Sequence, residues 1–110
     1  MKRILLFAFI GVIAVSCSKN SSVKYIVTGV SAGGFNVTYK VSGETKTANA
    51  VNSGWSQSFD AESDDQVYLK ALANGTNAQV TVEIQVDGSS FKKASGSGNQ
   101  ASATVEGTID

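Results

Sequence analysis

The feature that most constrains the fold is a strict alternation of apolar and polar side chains in QVTVEIQVD, residues 79–87. Successive side chains of an extended strand point to opposite faces, so this spacing places every apolar side chain on one face. We therefore predict a strand with one face in a core and the other in water. The apolar positions are Val80, Val82, Ile84 and Val86.

The same period recurs in FNVTYKV (35–41) and ASATVEGTI (101–109), and shorter alternating runs cover residues 67–72 and 23–27. Glycine-containing turn signals separate these runs. Asp87-Gly88 favours a tight hairpin that joins the strand at 80–86 to another at Phe91–Ala94. Because no helical periodicity is evident, seven or eight short strands of this kind predict an all-β fold, an antiparallel β-sandwich.

Composition narrows the function classes. The 110 residues are enough for one domain, and nine basic side chains balance nine acidic ones. This balance argues against a nucleic-acid partner. The chain has no histidine and one cysteine, which removes the usual metal ligands and the commonest general base. We therefore predict a protein that is not an enzyme, with no catalytic residues, no metal site and no cofactor.

The N-terminus has a basic start and an uncharged apolar run. Met1, Lys2 and Arg3 precede residues 4–15, which is typical of a secretory signal peptide; a membrane-spanning helix needs roughly 20 apolar residues. The sequence Ala14-Val15-Ser16-Cys17 resembles the lipobox of bacterial lipoproteins. That resemblance implies cleavage after residue 16 and lipidation of Cys17 with diacylglycerol and an amide-linked acyl chain. An ordinary signal peptide or an uncleaved anchor is the alternative.

These observations divide the chain into three parts. Residues 1–16 are predicted to be a lipoprotein signal peptide, 17–22 a lipidated cysteine with a short polar tether, and 23–110 the β-sandwich domain. Membrane lipid is then a partner through Cys17. In enteric bacteria an aspartate after the cysteine retains lipoproteins in the inner membrane, and Ser18 stands there instead. We therefore expect the periplasmic face of the outer membrane.

Three aromatic residues are candidates for core or contact roles. Trp55 is expected to cap one end of the core or to pack between the sheets, since tryptophan is highly buried on average. The alternative is an exposed aromatic side chain used in binding. The alternation allows outward positions for Tyr68 and Phe91, which would form an interaction patch if they met.

The charged clusters have simple explanations and one alternative each. Asp60, Glu62, Asp64 and Asp65 are expected in a solvated loop, with calcium binding as the alternative. Lys92-Lys93 is expected to guard a solvated edge strand, with binding of an anionic head group as the alternative. The run ASGSGNQAS, residues 94–102, is expected to be a flexible loop.

A family resemblance extends over most of the predicted domain. VKYIVTGVSAGGFNVTYKVSGE, GWSQSFDA, QVYLKALANG, QVTVEIQVDGSSFKKASGSG and ASATVEGTI follow one another between Val23 and Ile109. This order resembles the MmpS family of small envelope proteins. The resemblance implies an immunoglobulin-like β-sandwich that assists RND-type MmpL transporters. This chain differs in carrying a lipobox, in lacking a C-terminal cysteine pair, and in having no proline before Trp55.

Together these features predict a membrane-anchored envelope lipoprotein with a non-catalytic binding or adaptor domain, accessory to an RND-type transporter or another envelope protein. The alternative is a free-standing ligand-binding or structural envelope lipoprotein with no transporter partner. Cys17 is the one residue to which a site role is assigned, and the sequence singles out no binding residues.

Overall fold

The computed structural model describes residues 20–110, and Cys17 lies outside them. The described residues form eight antiparallel strands in two sheets packed as a sandwich, which confirms the predicted fold class. The strands are β1 Asn20–Val30, β2 Phe35–Val41, β3 Glu44–Val51, β4 Trp55–Glu62, β5 Gln66–Ala73, β6 Ala78–Val86, β7 Ser89–Gly98 and β8 Ser102–Thr108.

Each sheet has four strands. The order is β4-β1-β6-β7 in the first sheet and β3-β2-β5-β8 in the second, so β1, β6, β2 and β5 are central and the other four strands are edges. The chain passes from one sheet to the other five times. As a result the two hairpins β2–β3 and β6–β7 join neighbours within a sheet, while every other connection leads from one sheet to the other.

The core is built from the alternating positions that the sequence predicts. Val80, Val82 and Ile84 of β6 are buried, as are alternate residues of β1, β2, β5 and β8. Val41 and Val86 are only half-buried because each ends its strand. The buried apolar residues contributed by the other strands include Val23, Tyr25, Val27, Phe35, Val37, Tyr39, Val67, Leu69, Ala71, Ala103 and Val105.

Two tight hairpins close one end of the sandwich. Asp87 and Gly88 have φ angles of 51° and 84°, and Ser42 and Gly43 have 52° and 84°. Two successive residues with positive φ are typical of the type I′ turn, whose twist matches that of antiparallel strands. The hairpin predicted at Asp87-Gly88 is confirmed.

The first and seventh strands are longer than the sequence indicates. β1 begins at Asn20, so three residues assigned to the tether pair with β4, and Ser21 is 4% exposed. The expected flexible loop 94–102 is wrong for its first half, because residues 94–98 pair with β6 in regular register. Its small residues reflect a close approach of the two sheets, described below.

Candidate functional site

The sandwich has two long margins that differ in how they are filled. The closed margin lies between edge strands β7 and β8, where two glycines allow the two sheets to approach each other closely. A Cβ on Gly96 would overlap the carbonyl oxygen of Ser102 in β8. A Cβ on Gly107 would lie 2.7 Å from Cε2 of Phe91. Gly96 therefore lets the backbones of β7 and β8 approach closely, and Gly107 leaves room for the ring of Phe91.

A β-bulge turns Phe91 into the closed margin. Ile84 pairs with Lys92 and Gln85 pairs with Ser90, so Phe91 is an extra residue in β7. Its half-buried ring lies against Gly107 of the opposite sheet, and the Lys92 Nζ lies 5.5 Å from the ring centroid. The outward position that the alternation allowed for Phe91 is therefore wrong, because the bulge shifts the side-chain alternation.

The open margin, between β3 and β4, is filled by a row of aromatic rings. Trp55 of β4 packs on Tyr39 of β2 with centroids 5.2 Å apart, which joins the two sheets. Tyr39 in turn lies 5.9 Å from Tyr25, and Tyr25 lies 5.1 Å from Phe59. Packing of Trp55 between the sheets is confirmed, although its side chain and that of Phe59 stay half-buried.

The hydroxyl of Tyr25 crosses from the first sheet to the second. It donates a hydrogen bond to the Lys40 carbonyl at 2.6 Å and accepts one from the Tyr68 N–H at 3.3 Å. The regular pairing of β2 with β5 ends one residue earlier, at Tyr39 and Leu69. The hydroxyl therefore satisfies backbone groups where the two strands separate. Burial raises the pKa of Tyr25 to about 12, and the hydrogen bond from Tyr68 partly opposes this rise.

β4 is a regular edge strand with an uncharged stretch. All eight of its residues pair with β1 without a bulge. Residues 55–59 carry no charge, and Asp60 and Glu62 follow at the other end. The pairing with buried residues of β1 places Trp55, Gln57 and Phe59 on the side that faces the second sheet.

β3, on the other side of the open margin, is exposed along most of its length. Glu44 and Lys46 pair with Val41 and Tyr39, so both charged side chains lie on the inner side of the edge strand. Their side chains form an ion pair of 3.8 Å. The register shifts between Phe35 and Val37, where β3 holds an extra residue, and Ala50 has a φ of 55°.

The charged residues of the described part are absent from one end of the sandwich. Residues 25–39, 47–59, 71–82 and 94–105 contain no Lys, Arg, Asp or Glu. Each of these runs is centred on a turn at the end of the sandwich that is remote from Asn20. We call it the uncharged end; its turns are at 31–34, 52–54, 74–77 and 99–101.

Hydrogen bonds tie the turns of the uncharged end together. The Ser31 hydroxyl lies 2.7 Å from the Gly34 carbonyl and 2.6 Å from the Asn74 carbonyl. The Gln100 N–H donates to the Gly75 carbonyl at 2.8 Å. The turns that follow β1, β5 and β7 are therefore joined into one surface, rich in amide, hydroxyl and glycine groups.

The acidic segment lies at the opposite end of the sandwich, where β1 begins, and its expected loop is only partly confirmed. Asp60 and Glu62 belong to β4, and Asp64 and Asp65 form the turn after it. The Asp65 carboxylate accepts a hydrogen bond from the Glu62 N–H at 2.9 Å, which gives it a role in the turn. Within residues 20–110, no group of three or more carboxylate or cysteine side chains is arranged to hold a metal ion.

Two depressions lie on the surface of the described residues. A cavity of about 190 Å³ on the second sheet is lined by Lys40, Tyr68 and Glu106 among others. Another, of about 300 Å³, lies over β6 and β7 beside the Thr81–Ser95 hydroxyl contact of 3.0 Å. Tyr68 belongs to the second sheet and Phe91 to the first, so these two residues do not form the interaction patch that the sequence allowed. Lys92 and Lys93 lie on edge strand β7, as expected.

The predicted lipidation site Cys17 lies outside the described residues, and across residues 20–110 no helical segment has the length and hydrophobicity needed to span a bilayer. The chain matches no family model and no curated protein.

The two strands of the open margin carry the weakest sequence signals. β3 is exposed except at the half-buried Ala48 and Val51, so ETKTANAV shows no regular alternation of apolar and polar residues. In β4, the polar Gln57 stands on the inner face between Trp55 and Phe59. The sequence still indicated a strand here, because Trp55, Phe59 and Ala61 are separated by even numbers of positions and so lie on one face.

Proposed function

We propose that the chain is a membrane-anchored bacterial envelope lipoprotein whose β-sandwich is a non-catalytic adaptor domain. The anchor is a lipidated Cys17, and the partner is an envelope protein, which the MmpS resemblance suggests is an RND-type transporter. Support comes from the basic start, the apolar run and the lipobox-like sequence before Cys17.

The observation that carries the proposal is the position of β1. The strand begins at Asn20, three residues after Cys17, and three residues reach only about 10 Å even when fully extended. A lipid on Cys17 would therefore hold the end of the sandwich where β1 begins at Asn20, which we call the anchor end, at the membrane surface. The 11 residues of β1 span roughly 35 Å. The uncharged end and the uncharged stretch of β4 would then face away from the lipid, where a partner can reach them.

The free-standing ligand-binding alternative has less support. Ligand pockets commonly have volumes of about 300–1,000 Å³ and bury most of a ligand. The depression on the second sheet and the one over β6 and β7 have volumes at or below this range, and both lie on the outer faces of sheets rather than between them.

The test is the Cys17→Ser variant, compared with Ser18→Ala as a matched control. We expect Ser18→Ala to fractionate with membranes in a processed form and Cys17→Ser to remain unprocessed, because only the cysteine can be lipidated. Membrane retention of the processed chain after Cys17→Ser would refute the anchor. Chemical cross-linking in intact cells would then identify the envelope proteins beside the domain.

A further inference from the structure

The four sheet edges differ in how they resist pairing with another strand. Edge strands are usually protected by lysines, bulges or inward charges, because their free N–H and C=O groups can pair with another chain. β7 has Lys92, Lys93 and a bulge, and it closes over β8. β3 has a bulge and an inward-facing pair of charges, Glu44 and Lys46.

β4 has none of these protections along residues 55–59. Its register with β1 is regular over eight residues, and the stretch has no charge and no proline. Trp55 and Phe59 lie half-buried on its inner side. A strand added to β4 would extend the first sheet and cover more of these two side chains.

From this contrast we infer that the free edge of β4 binds an extended segment of another envelope polypeptide by strand addition. The segment is uncharged where it faces residues 55–59, since a charge there would lose hydration without gaining a partner. Apolar side chains at alternate positions would lie beside Trp55 and Phe59. Main-chain hydrogen bonds supply affinity in this mode of recognition, and the alternate side chains supply specificity.

A second copy of the chain does not fit this edge when the protein is anchored, a step that rests on the proposed function. Two β4 strands related by a two-fold axis run antiparallel, which places the anchor ends of the two copies at opposite ends of the pair. With tethers of about 10 Å, both lipids could not enter one membrane.

The test places a benzophenone amino acid at Gln57 in the full-length protein in intact cells. Control probes stand at Thr45 in β3 and Ser90 in β7, two exposed positions on protected edges. We expect Gln57 to cross-link to one contiguous segment of a partner polypeptide, with a yield roughly tenfold above both controls. Equal yields at the three edges, links to a second copy, or no links would overturn the inference.

A lysine at the edge provides an independent test. With the probe moved to Ser58, Gln57→Lys should lower the cross-linking yield roughly tenfold, whereas Thr45→Lys should leave it unchanged. Ser56→Lys serves as a second edge variant if Gln57→Lys lowers the melting temperature. Unchanged yield in folded edge variants would contradict strand addition. Membrane fractionation of the same cells tests the anchor separately: membrane-bound protein without edge links refutes only the inference, and soluble protein refutes the anchor.

Discussion

The two margins of this sandwich are packed in opposite ways. At the closed margin, Gly96 lets the backbones of β7 and β8 meet, and Gly107 leaves room for the ring of Phe91. At the open margin, the rings of Trp55, Tyr39 and Tyr25 fill the space between the sheets. The two sheets approach each other more closely at β7 and β8 than at β3 and β4.

The closed margin contributes to folding stability, whereas the open margin leaves a strand edge accessible to a partner. The closed margin leaves no room for a ligand or an added strand, because any side chain at Gly96 would meet the backbone of β8. The open margin presents a regular, uncharged strand edge in front of half-buried aromatic rings. A substitution at the closed margin should therefore act on folding, and one on the exposed edge of the open margin should act on binding.

We expect the largest change in the free energy of unfolding from Gly96→Ala, which disrupts the contact between the sheets at the closed margin. The new methyl group overlaps the Ser102 carbonyl, and relief requires the backbone of one sheet to move. We expect the free energy of unfolding to fall by about 3 kcal/mol in urea titrations. Ser97→Ala, at an exposed neighbouring position, should have little effect. Similar small losses for both variants would show that the sheets are not in contact at Gly96.

Tyr25→Phe tests the polar part of the open margin. The variant keeps the ring but leaves the Lys40 carbonyl and the Tyr68 N–H without the hydroxyl that joins them. We expect a loss of about 2 kcal/mol in urea-induced unfolding. The matched control is Tyr39→Phe, which leaves both of these hydrogen bonds intact and should cost less. A larger loss in the control would contradict the role of the Tyr25 hydroxyl.

Alkaline pH should act on the same hydroxyl. Burial raises the pKa of Tyr25 to about 12 from its usual value of 10.0, so the folded state holds its proton more tightly than the unfolded state. The contribution to stability is present below pH 10 and is lost as the pH rises towards 12. We expect the melting temperature of the wild-type protein to fall more steeply over this range than that of Tyr25→Phe. Parallel curves would exclude the effect.

The smallest effect is expected at the edge of the open margin, in β3. Ala50 has a φ of 55°, a conformation that favours glycine. Ala50→Gly should therefore raise the free energy of unfolding by about 0.5–1 kcal/mol, measured by urea titration. Ala48→Gly, in the same strand without a positive φ, should lower it by a similar amount. The opposite signs distinguish relief of backbone strain from a general effect of glycine.

The sequence predicted the fold class and the central strands because burial on one face imposes a regular alternation, as at Val80, Val82 and Ile84. It did not predict β3, which buries no continuous face, or the strand over residues 94–98, where glycine and serine resemble a loop. Those small residues reflect contact with the other sheet, which only the three-dimensional arrangement reveals. β4 was missed because the polar Gln57 interrupts the apolar alternation between Trp55 and Phe59.

We propose that Cys17 is a lipid anchor that holds the sandwich by its anchor end. Intact mass spectrometry of the protein purified from cell membranes tests this proposal. We expect a chain of residues 17–110 whose mass exceeds that of the polypeptide by a diacylglyceryl group and one further acyl chain. A chain that still begins at Met1, or one with an unmodified Cys17, would refute lipid anchoring.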